Sequence, residues 1–173
     1  MTLPVTVQLD LMRLPRVWVA GFVGQGEAGF DISEETVRIL RQHLASAMPA
    51  GVVDRGTVAL STESVFTDHA YWQRLAEERG FPLIVTGTVG LLIAPPIQVE
   101  RGRRTVFLHG TGRALAATVV LIDGRTGHVV ATRGLPQRMQ YGPDGSWSPQ
   151  DLYYGLMNQA RRDWLAAISA GYS

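Results

Sequence analysis

Residues Arg16 to Val23, RVWVAGFV, form an almost unbroken apolar run. A half-exposed strand would alternate apolar and polar residues, so this run reads as a central, buried strand. Covering structure follows at once. Asp31 with Glu34 three residues on gives a capping-box start to a helix. Val37, Leu40, Leu44 and Met48 then recur at near-helical spacing until Pro49 and Gly51 end it.

The remaining chain alternates the two periods. Val5, Val7, Leu9 and Leu11 mark a strand within an amino-terminal extension, residues 1–15, ahead of a core over 16–169. Val52 to Leu60 holds short β-type runs split around Asp54 and Gly56. A second helix is predicted from Asp68 to Arg79, burying Tyr71, Trp72 and Leu75, with Gly80 as its stop. Phe81 to Ala94 is a long strand closed by Pro95-Pro96. A polar, basic excursion, QVERGRRTV, reads as a loop or short hairpin.

Ala114 to Asp123 and His128 to Arg133 flank the turn DGRTG, so residues 114–133 are predicted to form an antiparallel hairpin. Gly134 to Ser146 reads as a loop. Ser148-Pro149 then opens one last helix with Leu152, Leu156, Ala160, Trp164 and Ile168 as its stripe. The order β-β-α-β-α-β-β-β-α specifies a single α/β (α+β layered) domain over 1–173, with helices packed on one mixed sheet.

Bulk properties remove several classes. A chain of 173 residues can bury roughly 70% of the surface it exposes when unfolded, so its core needs no staple. A net charge of +1 offers no general attraction to nucleic acid or acidic membranes. The absence of cysteine excludes disulfides, thiolate nucleophiles and cysteine-based zinc sites. MTLPVTVQLDLMRLP shows no signal-peptide pattern, an expectation that leaves open a leader already removed.

One spacing invites an enzymatic reading. Gly24, Gly26 and Gly29 reproduce G-x-G-x-x-G after a strand, with Asp54 placed to meet a ribose, which would make the chain a nucleotide-binding enzyme. Against it, the helix cap at Asp31 lies beyond the last glycine, and Glu27 and Asp31 would bring negative charge to an anion site. A connector is the better reading. His43, His69, His109 and His128 are scattered and give no metal-ligand pattern. No catalytic residue, metal or cofactor is expected. Contact elements are expected instead at Arg101, Arg103 and Arg104 and at Tyr153 and Tyr154.

The chain also resembles a known family. The residues that carry the likeness are RVWVAGFV, VVDRGTVAL, PLIVTGTV with its Thr86-Gly87, and VVLIDGRTGHVV with its Asp123, Thr126 and Gly127. In that order they resemble the envelope proteins that include the curli-secretion lipoprotein CsgG, the penicillin-binding-protein activator LpoB and the amino-terminal domain of TolB. The likeness spans Arg16 to Ser169. It implies a non-enzymatic periplasmic protein, anchored to the outer membrane by lipid, that binds envelope proteins or forms a homo-oligomer. The chain departs from that pattern in lacking a lipid-bearing cysteine. Its segment APPIQVERGRRTVFLHGTGR is also too rich in arginine and proline for lipid-facing strands.

Overall fold

The computed structural model describes residues 16–26, 28–48, 51–53, 56–95, 97–102, 104–108, 112–141 and 147–172. The predicted strand at Val5 to Leu11 lies outside them. Strand β1 (Val17–Gln25) leads into helix α1 (Ile32–Ala47), and a 3-10 turn at Glu63–Thr67 precedes helix α2 (His69–Glu77). Strands β2 (Leu83–Ile93), β3 (Ile97–Arg101), β4 (Arg104–Leu108), β5 (Gly112–Asp123), β6 (Val129–Gly134) and β7 (Arg138–Tyr141) follow, then helices α3 (Pro149–Gln159) and α4 (Arg161–Tyr172).

The main sheet is mixed and five-stranded, in the order β1-β2-β5-β6, with β7 also paired to β5. Only β1 and β2 are parallel; the other pairs are antiparallel. Period-two alternation divides its side chains between two cores. On one face Val17, Val19, Val85, Val119 and Leu121 pack with Leu40 and Leu44 of α1, Leu156 of α3 and Trp164 and Ile168 of α4. On the other, Trp18, Ala20, Ile84, Val120 and Ile122 pack with Phe66 and with Trp72 and Ala76 of α2.

β1 changes parity along its length. Val17 and Val19 belong to the first core, yet so does Phe22, while Val23 joins the second. The pairing with β2 slips between Val19 and Gly21, a bulge that moves every later side chain to the opposite face. Thr86 sits opposite the slip, fully buried, and its hydroxyl donates to the Gly21 carbonyl at 2.6 Å.

Several expectations change with tertiary structure. β1 stands at the end of the hydrogen-bonded order, not its centre. It is buried because both faces carry helices and because residues 51–53 and 56–60 cover its edge. Those residues form no strand: they touch β1 through isolated bridges at Val52 and Leu60. The basic excursion forms a separate two-stranded sheet, β3 with β4. Residues 134–146, read as a loop, contain β7, which extends the edge beyond β6. The last helix is two segments that meet at Ala160, whose amide still bonds to the Leu156 carbonyl at 2.9 Å. All five residues of the expected stripe are buried nonetheless.

Candidate functional site

The glycine segment joins the end of β1 to α1. α1 begins at Ile32, after the last glycine, and the Asp31 carboxylate accepts from the Glu34 amide at 3.0 Å. A further local bond, Ser33 Oγ accepting from the Phe22 amide at 2.9 Å, ties the helix start to β1. The helix terminus thus bonds to its own cap. Gly26 and Gly29 have φ of 75° and 81°, so turning the chain is their evident role. Asp54 lies outside the described residues.

The two motif turns are mechanical clasps. Asp123 Oδ1 accepts from the Arg125 amide at 2.9 Å, and the Gly127 amide donates to the Asp123 carbonyl at 2.8 Å. Thr126 Oγ1 accepts from the His128 amide at 3.2 Å, completing the D-x-x-T-G turn. Gly127 has φ 74°, and a Cβ there would lie 2.0 Å from the His69 carbonyl oxygen. The turn therefore seats directly on the start of α2. Gln73 Nε2 reinforces this by donating to the Arg125 carbonyl at 3.0 Å. In β2, Gly87 has φ 148° and leaves space for the Thr118 carbonyl, which a Cβ would meet at 1.8 Å.

The expected contact residues separate. Arg101 and Arg104 are register partners at the tip of β3–β4, with Gly102 in the turn, while Arg103 lies outside the described residues. Tyr153 is a correction: it is fully buried and cannot meet a partner. Its hydroxyl lies 2.5 Å from Thr36 Oγ1. Thr36 uses its own proton on the Ile32 carbonyl at 2.6 Å, so Tyr153 is the donor. Burial pushes the Tyr153 phenol well above its usual range, against a smaller opposing effect of the Thr36 bond.

Tyr154, one residue on, is exposed and organises a polar cluster that sequence reasoning missed. Its hydroxyl donates to Glu35 Oε2 at 2.9 Å and accepts from Gln150 Nε2 at 2.8 Å. Arg38 pairs with the same Glu35 oxygen at 2.7 Å and places its guanidinium carbon 5.9 Å from the Tyr154 ring centroid. The Arg38 hydrogen bond, and secondarily Tyr154, hold the Glu35 carboxyl below its ordinary range. Beside this cluster a groove of about 590 Å³ runs between α1 and the residues Val52 and Thr57, lined also by Glu34, Arg38, Arg41 and Gln42. Only the pairing Glu35-x-x-Arg38 was visible in sequence; its meeting with α3 needed the fold.

The histidines do not converge on a reactive centre. His43 is half-buried, and burial first, then the nearby Arg161 charge, lowers its pKa. His69 and His128 stack with ring centroids 3.8 Å apart, another part of the clasp between α2 and the turn. His109 lies outside the described residues. Among the described residues no three His, Asp or Glu side chains could hold a metal ion. Apolar side chains are exposed at Leu92, Ile93, Val129, Val130, Met139 and Trp147.

These features define an α/β domain with a helix-covered mixed sheet, buried polar clasps and an exposed polar cluster. No helix among the described residues is long and apolar enough to cross a membrane. No protein-family model matches the chain, and no curated protein matches it in sequence. Its fold is that of PelC from Paraburkholderia phytofirmans, solved as a dodecamer. The likeness has 16% identity and a TM-score of 0.52, covering 92% of this chain and 88% of that one. A point variant of the same dodecamer matches at 14% identity and TM-score 0.52, over 92% and 89%. A lipoprotein from Neisseria meningitidis is similar at 12% identity and TM-score 0.40, over 86% of this chain and 99% of that one.

Proposed function

We propose that this chain is a non-enzymatic domain of the bacterial envelope that self-assembles and scaffolds an envelope or secretion complex through protein contacts. The observation that carries the reading is the shared fold, across nearly the whole length of both chains, with PelC, which was solved as a dodecamer. Exposed apolar side chains at Ile93, Val130 and Met139 support a surface made to be covered. The order of motifs that resembles CsgG, LpoB and TolB supports a lipid-anchored place in the periplasm, at the outer membrane.

The expected protein partners are envelope components and further copies of this chain, not nucleic acid. Tyr154 with Glu35 and Arg38, together with the β3–β4 tip, are the contact elements of this reading. Light scattering on the purified chain, with fractionation and crosslinking in cells, tests it. A multiple of the 18.9 kDa chain mass in an envelope fraction is expected. A cytosolic monomer that crosslinks to nothing would end the proposal.

A further inference from the structure

On the second sheet face, α2 packs over Ile84 and Ile122. Farther along the same strands the side chains change from branched apolar to threonine. Thr88 of β2 is the register partner of Thr118 of β5, and Thr132 of β6 is the partner of Val120. Period-two alternation puts Thr88 on the side of β2 that carries Ile84 and Thr86, and Thr118 on the side of β5 that carries Val120. With Phe66 and Glu63 of the 3-10 turn as the opposite wall, these threonines line a cleft of about 440 Å³.

The two buried threonines of β2 differ in how their hydroxyls are satisfied. Thr86 donates to the Gly21 carbonyl. Thr88 is only 6% exposed, yet among the described residues its hydroxyl has no hydrogen-bond partner, and it lines the cleft. A hydroxyl taken from bulk water without a partner is destabilising, so one retained at a cleft wall marks a place for an incoming donor or acceptor. Thr118 and Thr132 add two more hydroxyls without a partner among the described residues. Glu63 Oε1 accepts from Gln25 Nε2 at 3.5 Å, which leaves Oε2 as a further acceptor.

The lining decides what chemistry fits. None of the described lining residues is cationic, so a phosphate or carboxylate ligand would meet Glu63 with nothing to neutralise it. A wholly apolar ligand would strand the hydroxyls. What fits is a molecule with donors and acceptors on one side and an apolar side to lie against Phe66, Val120 and Val129. A sugar ring has that form, with hydroxyls around its rim and a face of C–H groups. The volume falls within the roughly 300–1,000 Å³ of small-molecule sites. We propose that the cleft between the 3-10 turn and strands β2, β5 and β6 binds a neutral sugar residue, with Thr88 as its most deeply placed hydrogen-bonding group. The cleft lies on the sheet face opposite α3, apart from the contact surface around Tyr154.

Saturation-transfer NMR and calorimetric titration of the full chain test the assignment, with glucose, galactose, mannose and N-acetylglucosamine as neutral probes and glucosamine and inorganic phosphate as charged ones. At least one neutral sugar should bind, and phosphate should not. Thr88→Val should weaken that binding about tenfold. Because the Thr88 hydroxyl bonds to nothing among the described residues, the same substitution should leave Tm unchanged or raise it, unlike Thr86→Val. No binding by any neutral sugar overturns the assignment, as does binding that Thr88→Val leaves intact. Binding of glucosamine alone, abolished by Glu63→Gln, makes the cleft an amine site and overturns the neutral-sugar assignment. A fall in Tm for Thr88→Val as large as that for Thr86→Val gives the hydroxyl a structural role and overturns it too.

Discussion

Replacing Gly127 by alanine separates two costs that are usually confounded. The backbone at Gly127 has φ 74°, and the new Cβ would stand 2.0 Å from the His69 carbonyl oxygen. Gly26 shares the backbone term, with φ 75°, but a Cβ there meets nothing within 4 Å. Gly134 has neither feature. A left-handed conformation costs a side-chain-bearing residue roughly 1–2 kcal/mol. Forcing atoms into a filled contact adds roughly 1–3 kcal/mol. Gly26→Ala should therefore lose about 1 kcal/mol, Gly127→Ala on the order of 3 kcal/mol, and Gly134→Ala nothing or a slight gain. For a chain of this size each kcal/mol moves Tm by about 2–4 °C. Thermal unfolding of the three variants should then show a fall of about 10 °C for Gly127→Ala and about 3 °C for Gly26→Ala. Equal falls for those two would refute the claim that the D-x-x-T-G turn is a packed clasp on α2.

Thr86→Val should lower stability by roughly 1–3 kcal/mol by stranding the buried Gly21 carbonyl, whereas Thr86→Ser keeps the bond and should cost less; urea midpoints rank the two. Tyr153→Phe should cost about 1 kcal/mol, since Thr36 retains its bond to Ile32. The same phenol has a folded pKa raised above its unfolded value. Its contribution is therefore full below about pH 10 and declines above that, and the decline should vanish in Tyr153→Phe. For His43 the folded pKa is lowered, so stability should fall as pH drops below about 6.5, and His43→Gln should flatten that acid limb of the denaturation profile.

Local chemistry was legible wherever it acts over a few residues. The caps at Asp31, Asp68 and Ser148 each accept a backbone amide three residues on, as their side chains dictate. The α1 stripe of Val37, Leu40, Leu44 and Met48 is wholly buried. β5 and β6 form the expected antiparallel hairpin from Thr118 onward, with a register shift at Leu121/Ile122, while Ala114 and Leu115 pair with β7 instead. Tyr153 was misjudged because a stripe read at four-residue spacing sees one row of the helix. α3 is enclosed by both the sheet and α1, so a second row, Tyr153 with Met157, is buried as well. The cluster at Tyr154 was invisible for a related reason, since it forms only where α1 and α3 come side by side.

Sequence alone determined the long strands β1, β2 and β5, where the helices begin after Asp31, Asp68 and Ser148, and that Asp123 to Gly127 must turn tightly, because side-chain periodicity and local hydrogen bonds settle those questions. Tertiary structure alone decided the bulge opposite Thr86, the pairing of β7 with β5 and the closing of the sheet edge at β1. Each of these depends on backbone groups far apart in the chain competing for the same partners, and no local run of residues records that competition.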